Sequence, residues 1–245
     1  MMAFTVISAP GTSWAGGPIS EETVNHFKRV YFAPANRKIV KWADQVRYHI
    51  IGPEEIKELA RGHVDYFSSL TGVPAVETKT NINCLIIFTE DFYREALAHG
   101  GFYFQQFFDS KEAVYSRFHE LALEEATEGK VHDIISFVGE NDQGHVVMTV
   151  GMSDVGTVPN DQFSAYAFWL VFDLFVAHGK SGFEYYPPPD GVYTQTTLSD
   201  KDRAIVKLLY NDKVTAGMTL DQFSKVVTTL GHLEKPPLCR RFLIH

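Results

Sequence analysis

The stretch that most constrains this chain runs from Pro159 to Gly179, PNDQFSAYAFWLVFDLFVAHG. Between Ala165 and Ala177 every side chain is apolar or aromatic except Asp173. A helix that is apolar on all sides belongs inside a core rather than on a surface. Asn160 and Asp161 are helix-capping types, and Gly179 is a favoured residue just past a C-terminus, so the spacing predicts one helix through the stretch. A lone carboxylate inside it is costly to bury unless it is hydrogen-bonded, protonated or bound to a partner. Any fold for this chain must bury that helix and provide for one acid.

The chain is long enough to supply the surrounding core, since 245 residues make one large domain or two small ones. No repeat, low-complexity stretch or compositional shift marks a linker. The simplest division is a leader and short helix over 1–38, a single domain over 39–235 and a tail over 236–245. Phe alone supplies 19 residues, which favours bulky packing. With 22 basic and 30 acidic residues the net charge is −8, the wrong sign for nonspecific contact with nucleic acid or an anionic membrane. No run reaches the ~18 consecutive apolar residues of a membrane span. The opening MMAFTVISAPGTSWAGG has no basic n-region and a very short apolar core, so it fits a secretory signal poorly. A soluble protein is expected, cytoplasmic or secreted. Cys84 and Cys239, the only cysteines, are too few for a zinc-ribbon set, and Cys84 sits in an apolar run that suits a buried thiol.

Along the chain, Ile19 to Arg29 reads as a short amphipathic helix with Glu21 and Glu22 in its first turn. Val46, Tyr48 and Ile50 alternate with Arg47 and His49, a strand ended by Gly52-Pro53. Glu54 to Leu70 carries Ile56, Leu59, Ala60, His63, Val64, Phe67 and Leu70 at helical spacing, closed by Gly72. Val73 to Glu77 suits a short strand, and NCLIIFT over Asn83 to Thr89 is apolar enough for a strand covered on both faces. Helices are expected over 90–99 and 111–128. Within the second, His119-Glu120 and Glu124 lack the second His that a zinc-protease helix needs four residues after the first, because position 123 is Leu. Val131 to Val138 and His145 to Gly151 read as a hairpin. Ser199 or Asp200 caps a helix with Ile205, Leu208, Leu209 and Tyr210 inward, and Leu220 to Leu230 is the last helix.

Four stretches in this order, KWADQVRYHIIG, the helix ending SLTGV, TNINCLIIFTEDF and LSDKDRAIVKLLYNDKVTAGM, resemble the bacterial family called domain of unknown function 2927. The last is the most specific, joining a capped helix, a Leu-Tyr end and a Gly-Met turn. The resemblance covers roughly Lys41 to Met218. It implies a fold similar to the zinc metalloproteases called zincins: a single α+β domain with a mixed sheet, a central buried helix and C-terminal helices. The zincin motif H-E-x-x-H-x-x-G uses two His one turn apart for zinc and the Glu as general base. On this chain FDLFVAHG stands in its place, with Phe172 and Val176 at the His positions, Asp173 at the Glu and Gly179 at the Gly. Neither Phe nor Val can ligate a metal, so the resemblance implies no zincin-type zinc site.

Three candidate groups remain. Asp173 is either a residual acid facing a cleft or a structural carboxylate satisfied by a Tyr hydroxyl or backbone amides. His178 and Glu184 with Asp173 form a D-x4-H-x5-E set, but Asp173 and His178 project about 140° apart on an α-helix and do not converge unless the chain bends. Glu184 to Tyr193, EYYPPPDGVY, is a stiff aromatic loop suited either to recognition, through Glu184, Tyr185, Tyr186 and Tyr193, or to walling off the core helix. Serine-hydrolase, P-loop and dinucleotide-binding signatures are absent from the sequence. The expected function is therefore noncatalytic: a binding or interaction protein that uses the degenerate active-site cleft to recognise a protein or peptide ligand, without metal or cofactor. The alternative is a peptidase-like hydrolase with an atypical site around Asp173, His178 and Glu184.

Overall fold

The computed structural model describes residues 19–32, 37–91, 134–156, 158–178 and 194–230, with single positions at 95, 107, 113, 116, 117, 119, 120 and 183. In chain order the elements are α1 (Glu21–Phe32), β1 (Lys41–Trp42), β2 (Val46–Ile51), α2 (Glu54–Thr71), β3 (Ala75–Glu77), β4 (Cys84–Thr89), β5 (Ile134–Glu140), β6 (His145–Asp154), α3 (Phe163–Phe172), α4 (Asp200–Leu209) and α5 (Leu220–Leu230). The helices expected over 90–99 and 111–128 lie outside the described residues, single positions apart.

Helices and a mostly parallel mixed sheet make the α+β architecture. Strands β3, β2, β4 and β6 run parallel in that spatial order, and β1 pairs with the start of β6. The hairpin partner β5 is antiparallel to β6. Alternation in β2 does what period two demands: Val46, Tyr48 and Ile50 are buried while Arg47, His49 and Ile51 are half-buried. Strand β4 is buried throughout. Cys84, Ile86 and Phe88 join the main core, and Leu85 and Ile87 join a second apolar cluster with Met148, Val150 and Met152. This two-sided covering is why the NCLIIFT run carries no polar alternation.

The main core lies between the sheet and helices α1 to α5. Helix α2 buries Ile56, Ala60, Val64 and Phe67, and Gly72 ends it in the left-handed conformation with its N–H on Ser68 O at 2.9 Å. Leu59, expected inward, sits at the edge of that stripe and is 38% exposed. Helix α1 is capped by Ser20, whose Oγ accepts from Thr23 N at 3.1 Å. It belongs to the same core as the residues after 38, with Phe27 stacked on Phe223 of α5 at 4.4 Å. His26 extends this contact to α4. Arg29 can only donate, and its guanidinium lies 3.3 Å from His26 Nδ1, so Nε2 carries the proton that reaches Asp202 Oδ1 at 3.2 Å.

The Gly-Met turn now has a structural account. Gly217 N donates to Ile39 O at 2.8 Å and Ile39 N donates to Met218 O at 2.9 Å, so two residues oppose one. With Gly217 at φ +75, this is the pattern of a G1 bulge. A Cβ on Gly217 would lie 2.6 Å from Gln143 O, so the hairpin turn and the bulge touch through backbone alone.

Two other glycines make opposite predictions. Gly62 lies mid-helix in α2 with nothing within 4 Å of where a Cβ would stand. Gly62→Ala is expected to raise stability by about 0.5–1 kcal/mol in urea denaturation, by lowering chain entropy in the unfolded state. Gly52 has φ +144 and its Cβ would meet Phe88 Cβ and O at 2.9 Å. Gly52→Ala should cost about 1–3 kcal/mol in the same measurement.

Candidate functional site

Helix α3 is enclosed as its composition requires: every residue from Ala165 to Phe172 is buried. Strand β6 comes close because of Gly151, where a Cβ would lie 2.6 Å from Leu170 Cδ1. The ends of the helix differ from the sequence expectation. Asn160 to Gln162 form a 3-10 turn, and neither Asn160 nor Asp161 caps through its side chain. From Asp173 to Ala177 the helix widens into a π turn, closed by His178 N–H on Asp173 O at 2.7 Å. His178 takes a left-handed cap, at φ 49, and Gly179 lies outside the described residues. His enters this left-handed region more often than most residues other than glycine.

A helix end buried in a core must still satisfy its last carbonyls. Three aromatic side chains from three different elements do so. Trp42 Nε1 donates to Leu174 O at 3.1 Å, Tyr210 Oη to Phe175 O at 2.9 Å, and Tyr31 Oη to Val176 O at 3.3 Å. Burial holds the Tyr31 and Tyr210 hydroxyls well above their usual pKa, so both remain donors. Lys41, beside Trp42, donates from Nζ to Leu209 O at 3.2 Å and to Val214 O, fixing the end of α4 from which Tyr210 projects. Burial pulls its pKa down to about 8.

Asp173 is 1% exposed and accepts a hydrogen bond from the Ser136 hydroxyl of β5. One partner is thus a serine on the antiparallel strand. Phe172 and Val176 are wholly buried in the main core. The π turn also changes how Asp173 and His178 relate. With an i→i+5 bond the fifth residue closes over the first, so the two stand at the ends of one hydrogen-bonded turn, the bend that an α-helical projection lacked. Glu184, Tyr185, Tyr186 and Tyr193 lie outside the described residues. Phe183, one residue before Glu184, is placed: its ring meets Phe172 edge-on at 4.8 Å and Tyr31 at 6.0 Å. Ser136, Trp42 and Tyr31 were not singled out from sequence. The one available signal was a polar residue inside the apolar strand IISFVGE.

Other reactive types are held inert. Burial pushes the Cys84 thiol up to about 12, so it is no thiolate nucleophile at neutral pH. Ser164 Oγ lies 3.4 Å from His63 Nε2, a spacing that invites comparison with a Ser-His pair. The same Nε2 lies 3.1 Å from Ser164 O, a carbonyl that can only accept, so this nitrogen carries a proton and cannot take one from the hydroxyl. Among the described residues no cluster of three or more His, Cys, Asp or Glu is arranged to hold a metal, and no helix is long and apolar enough to cross a membrane. No protein-family description, characterised protein or solved structure matches this chain.

Two measurements check this account. Ser136→Ala removes one donor from a buried carboxylate and is expected to cost about 1–3 kcal/mol, with Ser136→Thr retaining most of it. An unchanged urea midpoint in Ser136→Ala would remove the bond from the description. Burial lowers the His63 pKa, so the folded state binds that proton less readily than the unfolded chain. Its contribution is present above the unfolded value near about 6.5 and is lost as the pH falls toward the lower folded value. The protein should therefore lose more stability between about pH 7.5 and pH 5 than His63→Gln does, read from midpoints at each pH.

Proposed function

We propose that this is a noncatalytic protein with a zincin-like fold, a binding or interaction module in which the helix of a former metalloprotease site has become packing. The observation that carries the reading is the burial of FDLFV. The two positions aligned with zinc-binding His are the fully buried Phe172 and Val176, and the position of the general base is Asp173, closed over beneath the Ser136 hydroxyl. A mostly parallel mixed sheet, followed in the chain by a fully enclosed helix, supports the family resemblance. The ligand contacts fall to His178, which keeps 8% of its surface exposed, and to Glu184, Tyr185, Tyr186 and Tyr193 beyond it. Phe183, one residue before Glu184, meets the Phe172 ring, which supports assigning the neighbouring Tyr-Pro residues to the ligand. Asp173 acts from beneath, holding the turn to β5. The ligand class proposed is a protein or an extended peptide.

Metal analysis and a turnover assay test this together. The purified protein, dialysed against zinc and then against buffer, should retain well under one equivalent of metal and should not cleave an unstructured protein such as casein. Asp173→Asn should move the thermal midpoint alone. One retained equivalent of zinc, or cleavage abolished by Asp173→Asn, would establish the hydrolase instead.

A further inference from the structure

A cleft of about 570 Å³ opens between the β5–β6 turn, the 215–218 segment and the first turns of α5. Each of its three walls is held by its own bonds. Asn141 Oδ1 accepts from Gln143 N and His145 N, both at 3.0 Å, which shapes the turn. The bulge at Gly217 is locked to Ile39, and Gly144 presses against it so closely that a Cβ on Gly144 would stand 2.5 Å from Gly217 N. Thr219 and Gln222 form a reciprocal capping box at the start of α5, with Thr219 N on Gln222 Oε1 at 2.8 Å and Gln222 N on Thr219 Oγ1 at 3.4 Å. The cleft is therefore preformed and of a size that suits a small ligand.

Its lining is amphoteric. Asp142 and Lys225 bring opposite charges, His145 adds an imidazole, and Ala216, Met218 and Val226 supply a half-buried apolar floor. No ion pair of Asp142, His145 or Lys225 occurs among the described residues, so neither charge is already neutralised by the other. Charged groups of both signs around an apolar floor complement a molecule that carries both charges and a short apolar side chain. We propose that this cleft binds an apolar α-amino acid or the dipeptide equivalent as a zwitterion, its carboxylate toward Lys225 and His145, its ammonium toward Asp142 and its side chain over Met218 and Val226. Because both charged residues stand at the open rim, where solvent screens them, the affinity is expected near the millimolar range.

The test is a titration of the full-length protein, labelled with 15N, by leucine and by leucylglycine, with N-acetyl-leucinamide as the uncharged control. The expected result is saturable shifts of the Gly217, Met218 and Lys225 amides by at least one zwitterion. Lys225→Gln and Asp142→Asn, both exposed and compatible with folding, should each weaken it about two- to five-fold. Asp173→Asn should leave it unchanged, which separates this site from the function proposed above. Leucine binding points to a free amino acid and binding of leucylglycine alone to a peptide, and either supports the site. No shift at about 20 mM of either probe, or equal binding of the uncharged control, overturns the proposal.

Discussion

The fold turns on the satisfaction of three backbone carbonyls. Helix α3 and its π turn end inside the core, where water cannot reach Leu174, Phe175 and Val176. An unpaired buried carbonyl costs about as much as a lost hydrogen bond, and three in succession would rival a sizeable part of the few kcal/mol that stabilise a domain. The donors come from β1, from the residue after α4 and from α1, so the end of one helix fixes the positions of three otherwise distant elements. Trp and Tyr suit this task because each delivers one directed donor from a large apolar body that also fills the core.

That arrangement explains why α1 and the 39–42 segment are integral to the domain. Tyr31 touches both the Val176 carbonyl and the Phe183 ring. Ile39 bonds the Gly217 bulge, Lys41 the end of α4, and Trp42 the π turn, within four consecutive residues. The segment thereby links the apolar site around Phe172 to the polar cleft at Gly217 through backbone and side-chain bonds. Two regions of different character, one buried and aromatic, one open and amphoteric, are built on one strut.

Much of the frame was legible in residue order. Period-two alternation located β2, the doubly covered run located β4, and three- and four-residue spacing with Gly72 located α2, because burial on a strand or a helix repeats at fixed intervals. The hairpin of β5 and β6 followed from two apolar runs on either side of the Glu140 to Gly144 loop. Helix ends were less legible. Asn160 and Asp161 have the chemistry of caps but face a 3-10 turn, and Leu59 fits the helical stripe while lying at its margin. Capping and edge burial depend on neighbours that a single helix does not specify.

The candidate site divides in the same way. Sequence alone determined that a wholly apolar helix must be central, that Asp173 within it needs a partner, and that Phe172 and Val176 cannot ligate metal. Those conclusions follow from side-chain chemistry and hold in any fold. Only the tertiary structure decided that Ser136 is one partner, that the helix opens into a π turn, and that His178 takes a left-handed cap. The physical reason is that a hydrogen bond across 37 residues and a shift from i→i+4 to i→i+5 bonding are settled by the strand and aromatic donors packed around the turn. No local pattern in FDLFVAHG encodes them.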